Sequence, residues 1–148
     1  MLIQKLKTKI HNEIPLTKLM DINIKEYTKN HLTTTAPLNI NINDKGTAFA
    51  GSLSTLSTIS GWGVCWLITQ ELGFLNSNIV ILKNETKFLK PVTKDLYCIT
   101  KVPSKDEITI LKEKLLNKKS GSIKIESSII ENNQKCLELD AIYIIKIN

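Results

Sequence analysis

The sequence predicts an α+β domain in which one antiparallel β-sheet wraps around a long apolar helix. The first observation behind this is a run from Thr47 to Gln70 that contains no charged side chain. A helix without a polar stripe is enclosed by other elements on most of its sides. The second observation is that six segments of alternating apolar residues flank this run in pairs, which indicates one sheet packed on the helix rather than a helix bundle.

The first part of the chain predicts a helix and a hairpin. Apolar residues at four-residue spacing favour an amphipathic helix over residues 1–12, followed by a short helical or loop segment that completes an N-terminal helical segment, 1–20. Alternating isoleucines predict a strand over residues 21–28. A Thr-rich stretch predicts the second strand of the hairpin over residues 31–38.

The central helix is predicted over residues 50–72, with Gly73 at its C-terminal cap. Two strands follow, over residues 80–91 and 96–102. Ser104, with Glu107 three residues later, predicts a capping box at the start of another helix.

That last helix carries an apolar stripe and is expected to end at Gly121. Two strands over residues 122–130 and 137–147, joined by a turn over residues 131–134, complete the sheet. We expect residues 1–148 to form a single domain.

Composition limits the possible partners. The 148 residues carry a formal charge of +6, every basic residue is Lys, and the lysines are scattered along the chain. Without Arg there is no bidentate contact to phosphate or guanine, and without clustered charge and exposed aromatics we expect no nucleic-acid binding. A small phosphate-bearing ligand such as coenzyme A fits this modest positive charge.

The three cysteines are expected to be buried free thiols in a reducing cytoplasm. Cys65, Cys98 and Cys136 have no spacing that suggests a zinc site, and no His lies near Cys65 to activate it as a nucleophile. The N-terminus has no apolar signal segment, and Ser, Thr and Gly dilute the uncharged run too far for a membrane span. We therefore expect a cytoplasmic protein with no metal, cofactor or membrane partner.

The candidate site is the segment Asn43 to Gly51, a polar Gly-containing loop that leads into the uncharged helix. Backbone N–H groups at a helix start can hold an oxyanion or a polarised carbonyl. The alternative is a simple turn before a buried helix, and the spacing alone leaves both open.

A family resemblance rests on several segments of this sequence, including the three given next. They are Asn43-Asp44-Lys45-Gly46-Thr47-Ala48-Phe49, Gly61-Trp62-Gly63 and Phe88-Leu89-Lys90-Pro91-Val92. With these segments the chain resembles, over about residues 10–147, the thioesterase family found as the C-terminal domain of bacterial YiiD-type proteins, a branch of the hot-dog fold. Two features differ from the family pattern. After the second helix the resemblance implies a Gly-Arg-rich basic stretch, and this chain has Lys118-Lys119 there. Family members commonly carry an acetyltransferase domain as well, and these 148 residues leave no room for one.

The resemblance implies hydrolysis of acyl-CoA or acyl-carrier thioesters by a homodimer or higher homo-oligomer, without a cofactor. The carbonyl of the thioester substrate would be polarised at the start of the central helix, and residues of the loop and of the helix would bind the substrate. The expected substrate-binding residues are Gly46, Thr47, Ala50, Gly51, Ser52, Ser54 and Thr58.

The expected catalytic residues are Asn43, Asp44 and Glu85. Asn43 would orient the carbonyl or the attacking water, with an Asx-turn as its alternative role. The first turns of the central helix contain no acid, so the carboxylate would come from Asp44 or from Glu85 of a partner subunit. Two alternatives stay open: a non-hydrolytic acyl-thioester binding module and, last, a dehydratase or isomerase, for which His31 lies on a strand away from the loop.

Overall fold

The computed structural model describes residues 1–148, with helices and strands in the predicted order. The helices are α1 Leu2–Glu13, α2 Pro15–Leu19, α3 Ala50–Glu71 and α4 Lys105–Lys118. The strands are β1 Asn23–Tyr27, β2 His31–Ala36, β3 Ser77–Phe88, β4 Leu96–Lys101, β5 Ser120–Glu131 and β6 Gln134–Ile147.

The strands form one antiparallel sheet in the order β1-β2-β4-β5-β6-β3. Helix α3 packs against β2, β3, β4, β5 and β6, so the sheet curves around it. This confirms the predicted hot-dog architecture. No helix is both long enough and apolar enough to cross a membrane.

Polar side chains on the sheet-facing side of α3 are satisfied inside the core. Ser57 and Ser60 are buried, and their hydroxyls donate to carbonyl oxygens one turn back in α3, at 2.9 and 2.6 Å. The Ser60 hydroxyl also lies 2.6 Å from the Thr34 hydroxyl of β2, and Ser127 of β5 hydrogen-bonds Thr100 of β4 at 2.8 Å. Because each of these hydroxyls has a hydrogen-bond partner, either a carbonyl oxygen or another hydroxyl, the core tolerates them at little cost.

The ends of the helices agree with the predictions at two positions and differ at a third. Gly73 follows α3 with φ +88°, as a helix C-cap requires, and Ser104 and Glu107 form the capping box of α4. The expectation that Gly121 ends α4 is wrong, because Lys119 adopts the left-handed conformation there with φ +62°. Gly121 instead lies in β5, where a Cβ would come within 3.0 Å of Leu111 Cδ1 of the packed helix.

The segment after β3 is fastened to the turn between β5 and β6. Glu131 accepts hydrogen bonds from the Thr93 amide at 3.0 Å, the Thr93 hydroxyl at 2.8 Å and the Lys94 amide at 3.0 Å. Burial acts to raise the pKa of Glu131, but these bonds and the Lys94 charge together hold the pKa below its ordinary value. Asn132 and Asn133 both have positive φ, as a two-residue hairpin turn needs.

Gly61 of α3 lets the helix approach β6, which gives a first prediction. A Cβ on residue 61 would lie 2.3 Å from the hydroxyl of Tyr143, whose side chain is fully buried and bonded to the Thr58 carbonyl at 2.7 Å. We expect Gly61→Ala to lower the free energy of unfolding by about 2 kcal/mol, as overpacking does. Urea titration measures this. Gly63→Ala is the control, since its Cβ would meet only side-chain ends of Leu32 and Leu6, at 3.3 Å. Equal losses for both variants would contradict the close packing at Gly61.

Glu131 gives a pH prediction. A carboxylate whose pKa is lowered by folding adds stability above its unfolded pKa, about 4.3 for Glu, and that stability disappears as the pH falls through the folded value. We expect Glu131→Gln to lower stability at pH 7 by about 1 kcal/mol, at the low end for bonds to a charged group because the carboxylate is partly exposed. Urea midpoints should differ at pH 7, and the difference should shrink as the pH falls below about 4. A difference that is constant with pH would contradict the assignment.

Candidate functional site

A buried asparagine fixes the loop between β2 and α3. The side-chain amide of Asn41, only 2% exposed, donates to the carbonyls of Met20 at 3.0 Å and Pro37 at 2.8 Å. The backbone carbonyl of Asn41 accepts from the Phe49 amide at 2.8 Å. Asn41 therefore holds the residue immediately before α3 against the N-terminal helices. The alternation of Asn39, Asn41 and Asn43 in the sequence was the available signal for it.

Asn43 organises the next part of the loop. Its Oδ1 accepts from the amides of Lys45 at 2.8 Å and Thr47 at 3.1 Å, and its Nδ2 donates to the Thr47 hydroxyl at 2.9 Å. A longer bond runs from Nδ2 to the Ala48 carbonyl at 3.4 Å. These bonds are the Asx-type arrangement, and they use both ends of the side-chain amide within the loop.

The N-terminus of α3 is left without a cap. Phe49 occupies the N-cap position and supplies no side-chain hydrogen bond, while the first bond of the helix runs from the Leu53 amide to the Phe49 carbonyl. The amides of Ala50, Gly51 and Ser52 donate no hydrogen bond within the chain. Three free donors combine with the positive end of the helix dipole to favour a negatively charged or polarised oxygen.

A cavity of about 310 Å³ adjoins the first turn of α3, where Ala50 and Leu53 line it. Its walls come from the loop, the first turn of α3 and the segment that follows β3, which the Ala48 amide ties together by donating to the Val92 carbonyl at 2.9 Å. The lining is largely apolar and consists of Asn43, Thr47, Ala48, Ala50, Leu53 and residues 88–92. Phe88 and Leu89 leave about half of their side chains exposed beside it, at 55% and 49%.

The two predicted carboxylates do not line the cavity. Asp44 is exposed and forms an ion pair with its neighbour Lys45 at 3.1 Å. Glu85 lies on β3 in register with Asp140 of β6, and its carboxylate is 3.9 Å from the Lys87 ammonium. Within one chain the uncapped amides and the apolar wall therefore meet without an acid beside them.

The predicted substrate-binding residues divide into three groups. Thr47 and Ala50 line the cavity, whereas Gly51 and Ser52 do not line it but carry free amides on the same first turn of α3. Gly46 is exposed at the loop tip with φ +80°, a conformation that favours glycine. Ser54 and Thr58 are half-buried on α3 and do not line the cavity.

The apolar wall of the cavity is the part of the candidate site for which the sequence analysis predicted no residues. Ala48, Leu53 and residues 88–92 are apolar apart from Lys90, and only the Phe-Leu-Lys-Pro-Val run drew attention to the last of these segments. The thiols take no part, because Cys65 and Cys98 are fully buried and burial raises the pKa of both well above the ordinary value. No group of His, Cys, Asp or Glu side chains is placed to hold a metal ion.

Comparisons with known proteins agree with this geometry. The model of the family described as "putative thioesterase (yiiD_Cterm)" matches residues 3–147. A crystal structure of a protein of unknown function from Chlorobaculum tepidum is 30% identical, with a TM-score of 0.92 over 98% of this chain and 94% of that one. A structure described as a putative thioesterase from Shewanella oneidensis is 28% identical, with a TM-score of 0.89 over 99% of this chain and 98% of that one.

More distant structures share the fold alone. A thioesterase from Haemophilus influenzae is 14% identical, with a TM-score of 0.68 over 98% of this chain and 90% of that one. The match of the family model to nearly the whole chain confirms the resemblance drawn from the loop and helix segments. The chain belongs to the putative thioesterase (yiiD_Cterm) family, within the hot-dog fold.

Proposed function

We propose that this protein hydrolyses acyl thioesters, with acyl-CoA or an acyl carrier as substrate. The observation that carries the proposal is the uncapped start of α3, where the free amides of Ala50, Gly51 and Ser52 belong to a helical turn whose Ala50 and Leu53 line an apolar cavity. Membership of a thioesterase family supports the same reaction. The three buried free thiols fit a reducing compartment such as the cytoplasm.

The reaction needs a site that stabilises negative charge on the former carbonyl oxygen. The acyl chain would occupy the cavity against Leu53 and Val92, with its carbonyl oxygen directed at the amides of α3. Water adds to the carbonyl carbon, and the oxyanion that forms accepts hydrogen bonds from these amides. The C–S bond then breaks, the thiol leaves with a proton taken from the water, and the acid is released.

The base that removes the proton is proposed to be Asp44 or Glu85 of a partner subunit. Asp44 directly follows Asn43, which lines the cavity, and its only ion pair is to the adjacent Lys45 at the exposed loop tip. A small movement of this tip would bring its carboxylate toward the cavity. Glu85 does not line the cavity of its own chain, so it could act only in an assembly. Its strand lies at the edge of the sheet, where a second subunit can pair.

Assembly as a homodimer is proposed through β3. This edge strand is 12 residues long, and its free side can accept a second β3 in an extended sheet. Val80, Leu82 and Phe88 on and near this strand are more than half exposed, at 52%, 58% and 55%. Pairing across this edge would cover part of that apolar surface and extend the wall of the cavity.

A non-hydrolytic acyl-thioester binding module is the second candidate function. It is favoured by one observation, namely that no carboxylate lines the cavity. Isothermal calorimetry with CoA and with acyl-CoA, set beside an assay of thiol release, separates the two functions. Tight binding of acyl-CoA without any release would favour the binding module.

The first activity prediction concerns the base. With short-, medium- and long-chain acyl-CoAs, we expect the native chain to release free thiol. If Asp44 is the base, Asp44→Asn should lower the rate of thiol release by 100-fold or more, because removal of general base catalysis costs about 10²–10⁴-fold in rate. Glu85→Gln is tested in parallel. Glu113→Gln, a charge loss on exposed α4, is the control and should retain full activity. No release from any acyl-CoA or acyl carrier would contradict hydrolysis.

A second activity prediction concerns Asn43. Since its side chain bonds the amides of Lys45 and Thr47, we expect Asn43→Ala to lower both the thermal midpoint and the affinity for acyl-CoA. Asn43→Asp keeps the acceptor oxygen and should retain most of the thermal midpoint. If Asn43→Ala left the midpoint unchanged but abolished turnover, Asn43 would act on the substrate rather than on the loop.

A further inference from the structure

The face of the sheet that points away from α3 carries its charges in rows. The inward residues Ile125 and Ala141 are buried, so their neighbours in sequence on β5 and β6 point outward. One set of outward residues in register across β3, β6 and β5, the cationic row, consists of Lys83, Ile142 and Lys124. The next set, the anionic row, consists of Glu85, Asp140 and Glu126.

The charges in these rows are poorly compensated within the chain. Lys83, Lys124 and Asp140 form no ion pair, while Glu126 reaches Lys101 at 3.2 Å and Glu85 only the exposed Lys87 at 3.9 Å. Directly opposed carboxylates on neighbouring strands repel one another. A cavity of about 500 Å³ lies across both rows and is lined by their members together with Asn84, Ile125 and Ala141.

The rows are complementary to a second copy of the same face. A two-fold axis that runs across the strands between the rows would place the cationic row of each copy over the anionic row of the other. Lys83 would then face Glu85 of the second copy, and Lys124 would face its Glu126. A two-fold axis parallel to the strands would instead oppose Lys83 and Lys124, so the charge pattern selects one arrangement.

The size of the face indicates a weak association. Three strands spaced about 4.8 Å apart, with 12 residues at about 3.3 Å each, present roughly 14 Å by 40 Å, which is less than the roughly 800 Å² per partner of a standard interface. The contact would therefore depend on its ion pairs, whose range falls from about 10 Å at 0.1 M salt to about 3 Å at 1 M.

We infer that this outer face is a self-association surface, at which a second copy of the chain packs with the cationic row against the anionic row. The surface is distinct from the free edge of β3, so it would join two copies, or two edge-paired dimers, back to back. It does not depend on the proposed hydrolysis, because neither row lines the cavity at the start of α3.

Analytical ultracentrifugation of charge-reversal variants tests this arrangement. The variants Lys124→Glu and Glu126→Lys lie on β5, away from the β3 edge. For the native chain we expect the assembly mass to be about twofold higher at 0.1 M than at 1 M salt. Each single variant should show the lower mass at both salt concentrations. The double variant, and an equimolar mixture of the two single variants, should recover the higher mass, since their reversed charges face each other again.

Lys112→Glu on exposed α4 makes the same charge change elsewhere and should behave as the native chain does. Circular dichroism at each salt concentration checks that every variant is folded. A native mass that is independent of salt, or single variants that associate like the native chain, would overturn the inference. So would a double variant and a mixture that both stay at the lower mass. Thiol release should be unchanged in the Lys124 and Glu126 variants, so a failure here is distinguishable from a failure of the proposed hydrolysis.

Discussion

Enclosure of an uncharged helix is the constraint on which the rest of this structure depends. Helix α3 has 22 residues without one ionised side chain before Glu71, so its sheet-facing side cannot be left in water. The strands from β2 to β3 must therefore curve around this helix. Residue 61 must lack a side chain, because a Cβ there would collide with Tyr143 of β6. The buried polar groups of α3 must find partners: the Ser60 hydroxyl bonds the Thr34 hydroxyl of β2, and the backbone carbonyl of Ser57 accepts from the Ser127 hydroxyl of β5.

The same enclosure fixes the position of the candidate site. Because α3 is held by the sheet along its length, its first turn does not need a capping side chain to form. A Ser, Asp or Asn in place of Phe49 would add about 1 kcal/mol, but its oxygen would accept from an amide of the first turn that is now free. The chain therefore gives up local helix stability at the start of α3, where the candidate site lies, whereas the start of α4 has a complete capping box.

The sequence was informative wherever local chemistry decided the structure. Three local features were predictable because their residue types favour one backbone conformation. They are the capping box of Ser104 and Glu107, the helix end at Gly73, and the turn of the last hairpin at Asn132 and Asn133. Gly121 was misassigned because its role is tertiary: it admits Leu111 of α4 rather than ending that helix. The cavity wall after β3 was not predicted as part of the site, since only the packed fold brings Val92 beside Ala48. The role of Glu131 in fastening that wall depends on a contact 38 residues away in sequence, which no local pattern encodes.

The orientation of Glu85 bears on the choice of base. Glu85 is in register with Asp140, so it points to the outer face of the sheet, whereas the cavity lies on the side of α3. Two β3 strands paired edge to edge continue one sheet, and an outward side chain stays outward in such a pair. The partner's Glu85 would therefore have to pass around its own strand to reach a thioester at Ala50. Asp44 needs only a movement of the exposed loop tip, where Gly46 already supplies a flexible backbone, so the geometry favours Asp44 as the base of a hydrolytic site.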